Sequence, residues 1–99
     1  MAVKRTVTKT RPNTGVNFET LDSSASNYIT TNFINTGKQT AFNKSLSGDQ
    51  LTLTVERTFA NATAKDEFEA DSTLRTSRKS KKVTMTDNGI SVSKSITEV

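Results

Sequence analysis

The sequence predicts an α+β domain in which helices cover one face of a four-stranded antiparallel sheet. Three observations lead there. Threonine-rich runs such as Val3 to Thr10 and Leu51 to Phe59 alternate at a period of two, and β-branched side chains in that pattern suit a half-buried pleated surface. Apolar residues from Ala25 to Phe33 recur at helical spacing instead. The two kinds of segment follow one another as strand, helix, strand, strand, helix, strand.

In the first strand Val3, Arg5, Val7 and Lys9 share one parity, and Lys4, Thr6, Thr8 and Thr10 the other. Pro12 and Asn13-Thr14-Gly15 end it, with Val16 to Glu19 as a short extended segment behind the turn. Ser23 or Ser24 is placed to cap the first helix. Ala25, Tyr28, Ile29 and Phe33 form its apolar stripe, Leu21 staples its first turn, and Asn35-Thr36-Gly37 stops it. Thr40, Phe42, Lys44 and Leu46 then alternate, as do Leu51, Leu53, Val55 and Phe59. The short Ser47-Gly48-Asp49 turn between them predicts an antiparallel hairpin.

The stretch TVERTFANATAKDEFEAD switches within a few residues from strand to helix pattern. Asn61 to Thr63 read as the cap of this helix, with Thr63 and Asp66 as a capping box, and the acids at Asp66, Glu67 and Glu69 suit the positive end of a helix dipole. Beyond Asp71-Ser72 two readings stand. A second helix with Ser72 as its cap runs to Asn88 and a Gly89 stop. Alternatively, Val83 to Thr86 and Ile90 to Ser93 pair as a hairpin around Asp87-Asn88-Gly89, which local β propensity favours. The lysine-rich run to Lys82 and the order of elements favour the helix. Ile90, Val92 and Ile96 supply the last strand. The order is that of the split βαβ, ferredoxin-like arrangement. Its open sheet face is expected to carry apolar side chains, for which a second copy is the simplest cover.

At 99 residues and 31% hydrophobic, the chain is a single domain with one modest core. Small domains of this kind often gain core by pairing. It contains no Cys and no His. That excludes disulfides, thiol nucleophiles, Cys-ligated metals and a proximal haem histidine, and removes the commonest acid–base at neutral pH. No apolar run approaches membrane length, and the first residues lack the apolar stretch of a secretory signal. No cofactor, metal or membrane partner is expected.

The net charge of +4 is sorted along the second half. Asp66, Glu67, Glu69 and Asp71 come first; as a cluster they could be a metal or acid–base site, though a solvated helix start is the plainer reading. Arg75, Arg78, Lys79 and Lys82 follow at i, i+3, i+4, i+7. A helix sets these on one face as a possible anion or nucleic-acid contact, against an exposed cationic helix end. No neighbouring aromatic residue offers to stack a base. Tyr28 and Phe33 line either a ligand cavity or the core. Arg57 shares a parity with Leu53, Val55 and Phe59 and needs a partner, Glu19 or Glu98, or lies with these three at a dimer seam.

Val55-Glu56-Arg57-Thr58-Phe59, then Lys65-Asp66-Glu67-Phe68, Asp71-Ser72 and Asn88-Gly89-Ile90 resemble the third strand and second helix of dimeric α/β-barrel proteins. The nearest likeness is to small phage-related members from marine viral and metagenomic sequences, which Arg11-Pro12-Asn13-Thr14 and Val16-Asn17-Phe18 also resemble. The resemblance implies a homodimeric barrel, cytoplasmic in a host cell or virion-associated rather than secreted. It includes haem-binding members and cofactor-free monooxygenases, but the histidines on which such sites draw are absent here and no catalytic residue carries over. Three functions follow as expectations: a non-catalytic assembly or interaction module, a small-molecule-binding barrel enzyme, and a nucleic-acid-associated protein using the stripe at 75–82.

Overall fold

The computed structural model describes residues 1–18 and 23–99. The elements run β1 (Val3–Thr10), α1 (Ser23–Ile29) continued by a π segment (Thr30–Ile34), β2 (Gln39–Leu46), β3 (Thr52–Phe59), α2 (Ala62–Ala70), α3 (Ser72–Asp87) and β4 (Ser91–Glu98). The four strands form one sheet in the order β2-β3-β1-β4, antiparallel at every pairing. The domain is thus α+β with an open antiparallel sheet. No described helix is long and apolar enough to cross a membrane.

Register sorts the side chains. Along the two central strands Val3 lies opposite Phe59, Arg5 opposite Arg57, Val7 opposite Val55 and Lys9 opposite Leu53. This parity faces the helices. Phe59 joins Ala25, Ile29, Phe33, Ala64, Phe68 and Leu74 in the core. The Phe68 ring meets Phe33 edge-on at 5.3 Å and Phe59 at 5.1 Å.

The opposite parity overturns one expectation. The open face carries Lys4, Thr6, Thr8 and Thr10 beside Thr58, Glu56, Thr54 and Thr52, with Thr97, Ser95, Ser93 and Ser91 along β4. It is polar, and Lys4 and Glu56 pair across it at 3.0 Å. Each strand has one apolar set, on the helix side; the helices bury most of it on the central strands, whereas Phe42 and Leu46 on β2 and Val92 and Ile96 on β4 stay exposed. Leu53, Val55, Arg57 and Phe59, expected at a dimer seam, face the chain's own helices. Phe59 is 0% and Leu53 5% exposed within the single chain.

The helix reading holds after Asp71, with changes in the caps. Within the Asn61-to-Thr63 stretch expected to cap α2, Asn61 does so in place of the Thr63 box: its Oδ1 accepts from the Ala64 N–H at 2.8 Å. Asp71, rather than Ser72, caps α3, accepting from the Leu74 N–H at 3.1 Å, and its extended ψ of 122° separates the two helices. At the far end Ile90 N–H reaches the Met85 carbonyl at 2.8 Å and Gly89 N–H that of Thr86 at 3.1 Å. This is a Schellman closure with Gly89 at a φ of 78°. Its apolar clasp, Met85 with Ile90, is buried. Asn88-Gly89 therefore ends a helix instead of turning a hairpin.

The segment from Val16 to Phe18 forms no strand. Arg11 holds it, donating to the Val16 carbonyl at 2.9 Å and stacking over Phe18 at 4.5 Å. The staple expected of Leu21 and the partnership expected of Glu19 lie outside the described residues.

Candidate anion-binding cleft

Arg75, Arg78, Lys79 and Lys82 sit on α3 and all line one cleft, of about 660 Å³, between that helix and the inward face of the sheet. The sheet side explains why the cleft stays open. Towards the end of β1 the inward parity passes from Val3 and Val7 to Lys9, and on β4 it carries Lys94 opposite Val7. Charged ends resist burial, so α3 cannot seal against them. Among the described residues that line it, nine of sixteen are Arg or Lys and none is Asp or Glu. Val7, Val55, Phe68 and Met85 supply apolar floor between the charges.

Three arginines converge on the Phe68 ring. The guanidinium carbons of Arg5, Arg57 and Arg78 lie 5.6, 5.5 and 5.3 Å from its centroid. Cation–π attraction of about 0.5–1 kcal/mol each offsets part of their mutual repulsion. Hydrogen bonding does little for them. Arg57 donates to Gln39 Oε1 at a long 3.4 Å, and Arg78 to the Glu69 carbonyl at 2.9 Å. Arg5 Nε and Arg78 Nη1 are buried and find no hydrogen-bond partner among the described residues. Arg5 and Arg57 are also direct cross-strand partners, a placement that disfavours like charges.

The electrostatics agree. Burial, then the charges of Arg5 and Arg78, pushes Arg57 down to about 10. Arg5 is lowered by burial and by Arg78, with Glu69 pulling the other way, and Arg78 chiefly by burial. Glu69 is the carboxylate at hand, and it is shared. It contacts Lys94, lies 3.2 Å from Lys65 and reaches Arg5 Nε at 3.8 Å. Burial pushes its carboxyl up, but the hydrogen bonds from Lys94 and Lys65 outweigh this and hold it below its usual range.

The other acids of the expected cluster disperse. Asp66 pairs with Lys65 and Glu67 with Lys38, both at 2.6 Å. Asp71 caps α3 and accepts from the Tyr28 hydroxyl at 2.6 Å. Among the described residues no group of three His, Cys, Asp or Glu is placed to hold a metal. Phe33 is core, 3% exposed, and Tyr28 is turned to Asp71, so the two line no common cavity. Glu98 lies across from Val3 at the end of β4 and is no partner for Arg57.

Sequence reasoning missed Arg5, Lys9, Lys94 and Phe42 as members of this site. A signal existed for two of them: Arg5 and Lys9 share the parity of Val3 and Val7, so the strand that buries the valines turns two cations inward. Phe42, in register with Arg57 on β2, holds its ring 4.7 Å from that guanidinium while 50% exposed. It gives the cleft an aromatic neighbour that the local sequence around Arg75 to Lys82 lacks.

Comparison with protein-family models, curated proteins and solved structures finds no match.

Proposed function

We propose that the chain is a non-catalytic nucleic-acid-binding module, with a single strand's phosphates seated in the cleft between α3 and the sheet. The observation that carries this is the lining: among the described residues, nine cations and no carboxylate line one groove. Fixed positive charge of this kind neutralises phosphates and releases their counterions, which supplies sequence-independent affinity. The half-exposed Phe42 beside Arg57 offers a face on which a base can stack, and this favours a single strand over a duplex. Strand order and the two helical crossovers support a ferredoxin-like reading of the topology. The module is read as acting through its cleft.

The test is fluorescence anisotropy with a labelled oligonucleotide across a salt series, single-stranded and duplex, for the wild type and an Arg75→Gln/Lys79→Gln/Lys82→Gln variant. These side chains lie along α3, and the variant should fold normally. Single-strand affinity should fall steeply with salt, and the variant's log–log slope should be shallower by about 2, since each lost phosphate contact removes roughly 0.7. No binding at low salt, or an unchanged slope in the variant, would overturn the reading. Tighter binding of the duplex would remove Phe42 from it.

A further inference from the structure

We propose that Arg5, Arg57 and Arg78 at the cleft floor form a seat for a phosphate dianion, the terminal phosphomonoester of a nucleic-acid strand. The proposal rests on the reading of the cleft as a nucleic-acid groove and adds what the groove recognises.

Three observations carry it. First, the arginines differ from the lysines of α3 in aim. Their guanidinium carbons lie between 5.3 and 5.6 Å from a single ring centroid, whereas a groove that only tracks a backbone needs its charges spaced out along a line. Second, donors are left over. Arg5 Nε and Arg78 Nη1 are buried without a hydrogen-bond partner among the described residues, Glu69 standing 3.8 Å from the former, and Arg57 makes one long bond to Gln39. A guanidinium presents five donors in a fixed fork that matches phosphate oxygens two at a time. Third, the charges do not balance. Among the described residues the three guanidiniums are offset by Glu69, already engaged by Lys65 and Lys94, and by Asp71, which is committed to the α3 cap and to Tyr28.

A phosphodiester brings one negative charge, while a monoester near neutral pH approaches two. The dianion is therefore the better complement. Depth agrees with this choice. The side chain of Arg5 is 13% exposed, so a strand passing through would have to bend inward to bring a bridging phosphate to it. A strand end can point straight in. Inorganic phosphate carries the same chemistry and is the other source to be distinguished.

The experiment uses one oligonucleotide sequence in three forms, with a phosphate at the 5′ end, at the 3′ end or at neither, each labelled at a far position. Binding is read by anisotropy for wild type, Arg57→Gln and Arg78→Gln, with circular dichroism to show that each variant is folded. A phosphorylated end should bind about tenfold tighter than the hydroxyl-ended strand, the scale of one added charge-assisted pair. In either variant the forms should bind alike. Equal affinity of all three for wild type with no stabilisation by inorganic phosphate, or a preference that survives both substitutions, would overturn the seat while leaving the groove. No binding of any strand would overturn the groove reading itself. Inorganic phosphate should raise the melting temperature of the wild type and not of Arg57→Gln. That result without an end preference would keep the dianion seat and assign it to free phosphate instead.

Discussion

Replacing Arg57 by Met should make the protein more stable and a weaker binder. The magnitude follows from what surrounds the guanidinium. A folded-state value pushed down to about 10 corresponds to roughly 3 kcal/mol of unfavourable folding free energy at neutral pH, at about 1.36 kcal/mol per pKa unit. Water at the cleft mouth reduces that to about 2–3 kcal/mol. Against it stand the stacks on Phe42 and Phe68 at 4.7 and 5.5 Å, each about 0.5–1 kcal/mol, and a bond to Gln39 at 3.4 Å, too long to add much. Methionine keeps most of the packing against the rings and leaves no charge beside Arg5 and Arg78. The net gain is about 1 kcal/mol, or roughly 4–8 °C in melting temperature for a domain of this size.

The sign can be checked through pH. Arg57 is a cation whose folded value lies below its unfolded one, so its penalty is complete at every pH below the folded value. The penalty is relieved as pH rises through about 10 towards the ordinary guanidinium range. Urea denaturation of wild type and Arg57→Met at pH 7 and pH 10.5 should show the variant ahead at pH 7 and the gap narrowing at the higher pH. A variant less stable than wild type by about 1 kcal/mol or more at pH 7 would refute the reasoning. It would mean that the arginine is held by partners that outweigh its burial.

Asp71→Ala removes the α3 cap and the acceptor of Tyr28, and should cost about 1–2 kcal/mol in urea denaturation. Burial pushes the Asp71 carboxyl up, but bonds from Tyr28 and the backbone N–H groups of Leu74 and Thr73 outweigh it and hold the group low. Its contribution is therefore present above the ordinary carboxyl range and lost as pH falls below about 4; Asp71→Asn, which keeps a capping oxygen, should flatten that loss. Gly89→Ala places a Cβ at a φ of 78° and should cost about 1–2 kcal/mol, seen as a lower melting temperature with binding unchanged.

Most of the fold was legible because parity and caps are local. The strand from Val3 to Thr10 and the hairpin around Ser47-Gly48-Asp49 needed only alternation and a turn. The stretch from Ser72 to Asp87 was undecided, since Val83-Thr84-Met85-Thr86 has strand composition and Asn-Gly serves both outcomes. Two non-local facts decide it. Leu74 and Met85 are eleven residues apart, about three helical turns, so one helix brings both to the buried side. Ile90 then closes on Met85 beyond the glycine. The polarity of the open face was also written in the sequence, in Thr6, Thr8, Thr52 and Thr54. The expectation of an apolar face counted each strand's single apolar set twice, once for the helices and once for a partner.

The arginine cluster was legible only in pieces. Arg5 among Val3 and Val7, and Arg57 among Val55 and Phe59, each showed as an inward charge that breaks an apolar parity. Their meeting depends on the register that sets Arg5 opposite Arg57 and on the phase of α3, which lays Arg78 over the same Phe68 ring. Neither can be read from a short window. Once they meet, local rules fail together: like charges face one another across strands, buried donors lack acceptors, and a core phenylalanine is ringed by guanidiniums. A chain required only to fold would do better with Leu or Met at position 57. Rule-breaking confined to one cleft fits the proposed anion site, where positions are selected for binding over stability. In the proposed site the same charges that repel one another would be offset by a phosphate lying between them, so a gain in stability and a loss of affinity in Arg57→Met should be two readings of one interaction.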